Sequence, residues 1–211
     1  MTAIPHLPAK TRLEAALVRF QTKMSELGSG PTESQLRHIA VERAHIRSLA
    51  EITRRLQEYQ GWVEKASYEE LLRQPHDSAR LGANMRAAGR QKPTDRHDPH
   101  AIVAGNHAAA ALSRITLAQH RVGIDEHENG AWLPRRGNDA KASKNWATPG
   151  AVPHSRIHRK TYFEWIEDQL LSTANGEDVR RRLLLIGRRL EHGALPPEIL
   201  EGIKHDSLQN S

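Results

Sequence analysis

The chain has 211 residues, enough for one ordinary domain or for a small catalytic unit preceded by a helical accessory region. Hydrophobic residues make up 37% and charged residues 27% of it, so it can bury a modest core and is not a disordered tail. It contains no cysteine, which excludes disulfides, thiolate metal sites and cysteine nucleophiles, and its net charge of +6 permits an anionic partner without requiring one.

The opening MTAIPHLPAKTRLEAALVRF lacks the basic flank, apolar run and small-residue cleavage site of a secretory signal peptide. No stretch approaches the roughly 18 consecutive apolar residues of a membrane-spanning helix. We therefore expect synthesis in the cytoplasm, and action elsewhere would require export without a cleaved signal peptide.

The N-terminal half has the apolar periodicity of helices. Steps of three and four predict one helix over 11–27 and a long one that starts at a capping box of Thr32 and Gln35 and ends at Gly61. A third, shorter helix is predicted over 62–73. Together these segments indicate a helical hairpin or a small bundle.

Residues 74–98 lose this periodicity and are rich in Gly, Pro, Asp, Arg and Asn, as expected of a connector. We therefore expect a domain boundary near residue 90. Residues 1–90 would form a helical accessory region, and residues 91–211 a second domain.

The second half alternates short apolar segments with helical patterns. A short strand is predicted from His100 to Ala104, a helix over 107–120 and a second short strand over 130–134. A polar loop over 135–153 follows, and then a helix whose core face would be Phe163, Ile166 and Leu170.

A last amphipathic helix is predicted over 178–191. We expect Leu184, Leu185 and Leu190 to face inward, and its five arginines to face outward: Arg180, Arg181, Arg182, Arg188 and Arg189.

His154 and His158 lie four residues apart at the opening of a predicted helix, so their imidazoles would share one face and could bind one cation. With 13 histidines in the chain, two solvated helix residues are the plainer interpretation of this pair alone. However, a strand with His100, a strand after Asn129 and a helix with the pair follow the strand-strand-helix order of ββα-metal sites. This order favours a metal site of His100, His154 and His158. Three neutral imidazoles suit Zn²⁺ or Ni²⁺ as the bound ion, while Mg²⁺ or Mn²⁺ could serve in catalysis.

Several landmarks between His97 and Leu170 resemble the AHH nucleases of the HNH and endonuclease VII group. The sequence PHAIVAGN from Pro99 is similar to the family's Ala-His-His-Ile-Val opening. The segments GID from Gly123 and ENGAWLP from Glu128 are similar to its Gly-Ile-Asp and Asn-Gly-x-x-Leu-Pro elements, and His154-x-x-x-His158 with Tyr162 resembles its closing helix. The resemblance implies a mainly α fold with a small β component (α+β), in which a ββα-metal nuclease domain follows the helical region.

One departure from the family concerns catalysis. Where the family has two consecutive histidines, this chain has His100 followed by Ala101. The resemblance assigns deprotonation of the attacking water to the missing second histidine and orientation of that base to Asn129, although Asn129-Gly130 is equally typical of a plain turn. We therefore expect the metal to bind although the general base is missing. The missing base should lower the rate of hydrolysis by about 10²- to 10⁴-fold. Ala101 is either a substitution introduced to silence a toxic enzyme or natural drift in a degenerate homologue.

Seven basic residues of the loop and of the following helix start could bind backbone phosphates, although a solvated charged loop is an ordinary alternative for each: Arg135, Arg136, Lys141, Lys144, Arg156, Arg159 and Lys160. The resemblance implies a bacterial toxin or effector that hydrolyses nucleic acid, DNA in preference, in the cytoplasm of a target cell, and a cognate immunity protein in its producer. Two alternatives stay open. One is a degenerate module that binds nucleic acid or a partner without cutting, and the other is a helical adaptor whose histidines are incidental.

Overall fold

The computed structural model of the protein describes residues 8–27, 30–141 and 147–201. Its two strands are β1 (His97–Ala101) and β2 (Gly130–Pro134). Its labelled helices, in chain order, are α1 (Ala9–Glu26), α2 (Glu33–Lys65), α3 (Tyr68–Arg73), α4 (Ser78–Ala87), α5 (Ala111–Gln119), α6 (His154–Ile157), α7 (Lys160–Leu171) and α8 (Gly176–Glu191). The fold is mainly α with one two-stranded sheet, which confirms the predicted class.

The chain forms two compact units. The first contains residues 1–61 and 86–91, and the second contains residues 62–85 and 92–211. Residues 62–85, which we assigned to the accessory region, therefore lie in the second unit. That residue 90 separates two independently folding domains stays a prediction.

The first unit contains α1 and most of α2. The capping box predicted at Thr32 is present, because Thr32 N–H donates to Gln35 Oε1 (2.7 Å) and Gln35 N–H donates to Thr32 Oγ1 (3.3 Å). Lys23 of α1 and Glu42 of α2 form an ion pair of 2.8 Å. The two helices are therefore in contact, as either a hairpin or a small bundle requires.

The predicted helix boundary at Gly61 is wrong, since α2 continues to Lys65. A glycine inside a helix costs only about 1 kcal/mol, and Val63, two residues further on, is 2% exposed, so burial of the next turn favours continuation. The next helix, α3, begins after Ser67, which forms a full capping box with Glu70.

Helix α4 lies where we predicted a connector. Asp77 caps it by accepting hydrogen bonds from the backbone N–H groups of Ala79 (2.8 Å) and Arg80 (3.2 Å). Leu81 and Met85 are fully buried and lie one turn apart. A single apolar pair among polar and small residues is too short a pattern to predict a helix from periodicity.

The sheet pairs β1 and β2 antiparallel, with His97 opposite Pro134 and Ala101 opposite Gly130. The second strand lies where predicted, whereas β1 begins at His97 and ends at Ala101, three residues earlier than expected. His100 is therefore near the end of its strand, next to the loop that follows Ala101.

The core of the second unit lies between the sheet and helices α5, α7 and α8. The predicted core face of α7 is confirmed, because Phe163, Ile166 and Leu170 are all buried. In α8 Leu190 is buried as predicted, whereas Leu184 is only partly buried and Leu185 is 49% exposed. The inward positions are Val179, Leu183, Ile186 and Leu190, a regular helical stripe that the run of four aliphatic residues had obscured.

Candidate metal centre

Three histidines from two separate segments meet near the end of β1. His100 is the fourth residue of β1, His154 begins α6 and His158 directly follows α6. The ring centroid of His100 is 5.0 Å from that of His154 and 5.0 Å from that of His158, and the latter two are 5.8 Å apart. One ring nitrogen of each lies within 4.8 Å of the others, the only such group of three or more His, Asp or Glu residues in the described part of the chain. The structure thus brings the three predicted ligands together.

Tyr162 fixes the tautomer of His100. The Tyr162 hydroxyl donates its one hydrogen to the carbonyl of Ile102 (2.9 Å), so it can only accept at its contact with His100 Nε2 (3.0 Å). Nε2 therefore carries the imidazole hydrogen, and Nδ1 has the free lone pair. That Nδ1 is buried and has no hydrogen-bond partner among the described residues. A buried acceptor on a neutral imidazole next to two further histidines fits a metal ion.

Burial favours the neutral form of the three imidazoles, most strongly for fully buried His100, whereas His154 is half-buried and His158 is exposed. Burial lowers the pKa of His100 well below its ordinary value, and repulsion from His158 and His154 in their protonated forms lowers it further. Loss of hydration in the pocket lowers the pKa of His158 to about 4, with a further contribution from His154. Burial also lowers the pKa of His154, although nearby Asp98 opposes this change. Metal ions bind neutral imidazole, so these shifts favour binding near neutral pH.

The segment with His154 and His158 is not the continuous helix that we predicted. Helix α6 ends at Ile157, His158 has a non-helical ψ of 78°, Arg159 is extended, and α7 begins at Lys160. This break, rather than a shared helical face, determines where His158 lies. It also starts α7 at the place from which Tyr162 reaches His100.

Residues 81–184 match the model of the family AHH, described as a nuclease family of the HNH/ENDO VII superfamily with conserved AHH. The match covers the sheet, His100, His154, His158 and most of α8. This segment is an AHH-family nuclease domain. Comparison with curated proteins gives no match, and comparison with solved structures gives none.

Nucleases of the HNH/ENDO VII superfamily depend on a metal ion, and the three histidines of this AHH domain are the residues that would hold it. When bound, such an ion polarises a phosphate oxygen and stabilises negative charge on the leaving oxygen. Within the described residues, no helix is both long enough and apolar enough to span a membrane.

Ala101 directly follows His100, at the position where the resemblance noted from the sequence implies the family's second histidine. Its side chain is 6% exposed and packs with Leu81, Met85 and Trp132. It also forms part of the wall of a pocket of about 410 Å³ that His154 and His158 line as well. A methyl group cannot accept a proton, so position 101 supplies no general base.

Asn129 is fully buried and stabilises the loop that follows Ala101. Its Oδ1 accepts from the backbone N–H of Val103 (2.8 Å), and its Nδ2 donates to the carbonyls of Val103 (3.2 Å) and Ile124 (2.8 Å). The Asn129 carbonyl accepts from the backbone N–H of Ile102 (2.9 Å). All four contacts are to the backbone. The role expected from the resemblance, orientation of the base, stays a prediction.

The seven basic residues named from the sequence differ in their surroundings. Arg135 donates to both carboxylate oxygens of Asp98 (3.0 Å each), and Lys160 is 3.5 Å from Glu164. Within the described ranges Arg136, Lys141 and Arg156 are exposed and form no ion pair. Arg159 is half-buried, and Lys144 lies outside the described residues.

In α8 the predicted outward-facing arginines are not all free. Arg180 donates to both oxygens of buried Glu126 (2.6 and 2.8 Å) and to the Arg121 carbonyl, and Arg181 pairs with Asp178. Arg180 therefore stabilises the turn before β2, and it is not available to a ligand in this arrangement.

Sequence reasoning missed His76, which lines the pocket, and Asp125, the buried carboxylate that contacts it. His76 precedes the family match and lines the pocket with Ala101, His154 and His158. Its Nδ1 is 2.5 Å from Oδ1 of Asp125, which is fully buried. Asp125 belongs to the Gly-Ile-Asp segment, which could have indicated it. Nothing in the sequence around His76 pairs it with another ligand or base.

Proposed function

We propose that the chain is a metal-dependent nuclease toxin or effector that cleaves nucleic acid, DNA in preference, and whose reaction is slowed by Ala101. The observation that carries this proposal is the His100 tautomer: Tyr162 leaves a buried, unpartnered Nδ1 beside His154 and His158. A buried imidazole with both nitrogens hydrogen-bonded would favour a purely structural role. In His100 only Nε2 is hydrogen-bonded among the described residues.

Three exposed cations among the described residues support a nucleic-acid substrate. The exposed residues are Arg136, Lys141 and Arg156. Gly137 belongs to the loop that follows β2, and the Arg156 side chain of α6 lies next to it. Unpaired cations of this kind bind backbone phosphates without reading bases. Action on DNA with little sequence preference is therefore part of the proposal.

Delivery to a target cell, action in its cytoplasm and a cognate immunity protein are part of the same proposal. Their support is the resemblance of the domain to nucleases known mainly as toxins. Cells that express the Ala101→His variant without an inhibitor should then lose viability. Co-expression of the cognate immunity protein should restore their growth.

The proposed function is tested by cleavage of supercoiled plasmid and of a structured RNA, with Mg²⁺, Mn²⁺, Ni²⁺ or Zn²⁺ added in turn. We expect the Ala101→His variant to nick plasmid faster than the unchanged chain, by up to the roughly 10²- to 10⁴-fold that a positioned general base typically contributes. The matched control, Ala101→His combined with His158→Ala, should lose metal and cleavage together.

A second candidate is a degenerate module that binds nucleic acid or a partner without cutting, and Ala101 is the observation that favours it. It predicts metal binding and DNA retention, with no cleavage by the Ala101→His variant under any of the four ions. Cleavage of RNA and not of DNA would instead show that the substrate is RNA.

A further inference from the structure

We propose that His76, held by Asp125, deprotonates the attacking water in this chain, in place of the histidine that position 101 lacks. This inference rests on the proposed nuclease function. It concerns a residue outside the family match, which begins at residue 81.

Asp125 orients the His76 imidazole. A carboxylate only accepts, so His76 Nδ1 must donate to it, and Nε2 then has the free lone pair. Asp125 is itself held by Arg80 (2.6 and 2.7 Å) and by the backbone N–H of Asp77 (3.1 Å). Among the described residues His76 Nε2 has no hydrogen-bond partner. A carboxylate that fixes the Nδ1–H tautomer and leaves Nε2 as proton acceptor is the arrangement of a general base.

His76 also lies on the side of the sheet where the missing histidine would project. Ala101 and His76 line the same pocket, and Ala101 packs against Leu81 and Met85 of α4, the helix that directly follows His76. The His76 side chain is 22% exposed, so water can reach a ring that is otherwise restrained.

The loop after β1 provides space for this ring. A Cβ at Gly105 would lie 2.3 Å from His76 Cβ and 3.3 Å from its Cα. Only glycine fits beside His76 without displacing it. The substitution Gly105→Ala would therefore displace the His76 imidazole without removing it.

The other histidine of the pocket is a poorer base. His107 Nδ1 accepts from the backbone N–H of Ala109 (3.2 Å), so its Nε2 carries the hydrogen and has no lone pair to offer. His107 is also stacked on Phe163 at 4.3 Å. His154 and His158 are the expected metal ligands, which leaves His76 as the imidazole with a free acceptor.

In the proposed step, His76 Nε2 takes a proton from water while the water oxygen forms a bond to phosphorus. The P–O3′ bond breaks, its electron pair leaves on the 3′-oxygen, and solvent protonates that oxygen. The proton on His76 then returns to solvent. The step consumes one water and needs no oxidant or reductant.

The test is a double-mutant cycle between positions 76 and 101 in the full-length chain, with single-turnover plasmid cleavage in Mg²⁺ or Mn²⁺ as the readout. His76→Asn keeps an N–H for Asp125 and removes the proton acceptor. We expect it to slow the unchanged chain by at least about 10-fold and the Ala101→His variant by less than about 3-fold, because the second base substitutes for the first. The matched control is His45→Asn on α2, which should change neither rate.

Metal content and melting temperature are measured for each variant. If His76→Asn fails to fold, Gly105→Ala decides, since it displaces the imidazole and should slow the unchanged chain in the same way. Equal slowing of both backgrounds, or no slowing of the unchanged chain, would overturn the inference. Cleavage by the Ala101→His variant with none by the unchanged chain would also overturn it and leave the proposed function standing. No cleavage by either, with metal bound, would contradict the proposed function itself.

Discussion

At the scale of single residues, the hydroxyl of Tyr162 determines which nitrogen His100 presents to a metal. It accepts from Nε2 and donates to the Ile102 carbonyl, and both groups are buried. Hydrogen bonds to the far nitrogen of a ligating histidine fix its tautomer and orientation. Tyr162 is therefore a supporting residue of the candidate metal centre, although it would not touch the ion.

We predict that Tyr162→Phe lowers metal affinity by about 10- to 100-fold, the usual cost of removing such a support. The ring volume is kept, while His100 Nε2–H loses its partner. Competition titration of Zn²⁺ or Ni²⁺ against a chelator measures the change. Tyr68→Phe, at an exposed tyrosine, is the matched control. Equal affinity of the two variants would contradict the tautomer argument.

We also predict that the metal is retained well below neutral pH. Because the pKa of His158 is lowered to about 4, this ligand stays neutral as the pH falls through 6.5, the ordinary value for histidine. Protons should displace the ion only as the pH approaches 4. Dialysis from about pH 7 to about pH 4, followed by metal analysis, should show retention to about pH 5. Complete loss near pH 6.5 would mean that the imidazoles are ordinary, solvated groups.

The residues of the site differ in how far sequence could predict them. The spacing of His154 and His158, with His100 on a strand, was sufficient to name the group of three. His76 could not be predicted, because its relation to the site depends on a contact with Asp125 across 49 residues of sequence. Tyr162 was visible only as part of the family resemblance.

At the scale of elements, prediction failed where a helix depends on one or two buried side chains. Helix α4 buries Leu81 and Met85 within a polar segment, and periodicity over so few apolar positions is weak. The break between α6 and α7 falls in a segment with no proline or glycine, so sequence gave no reason to expect it. By contrast, β2 and the core face of α7 have regular patterns and were predicted.

The close approach of α4 to β2 predicts different outcomes at two glycines. A Cβ at Gly130 would lie 2.4 Å from Met85 Sδ and 2.9 Å from its Cγ, whereas a Cβ at Gly61 in α2 meets nothing within 4 Å. We expect Gly130→Ala to lower the free energy of unfolding by about 1–3 kcal/mol through overpacking. Gly61→Ala should raise it by up to about 1 kcal/mol. Urea unfolding of both variants measures the difference, and equal effects would contradict the packing described here.

At the scale of the whole molecule, residues 62–85, of which only 81–85 fall within the family match, form one compact unit with residues 92–211. They supply His76, Arg80, Leu81 and Met85 to its interior and pocket. A fragment that begins at residue 91 would leave the Asp125 carboxylate buried without Arg80, a change that typically costs about 3–5 kcal/mol.

We predict that a fragment of residues 62–211 folds and binds metal, whereas a fragment of residues 91–211 melts at a much lower temperature or does not fold. Thermal melts by circular dichroism, with and without added Zn²⁺, compare the two. Equal stability would support the boundary near residue 90 that the sequence suggested.

The most direct test of the central claim, that His100, His154 and His158 form one metal centre, is metal stoichiometry after exhaustive dialysis of the chain and its single alanine variants. We predict about one Zn²⁺ or Ni²⁺ per unchanged chain, as a single three-imidazole site requires. The His100→Ala, His154→Ala and His158→Ala variants should lose it, while His45→Ala, at an exposed histidine of α2, should retain it. Unchanged stoichiometry in the three ligand variants, with their fold intact, would contradict the account.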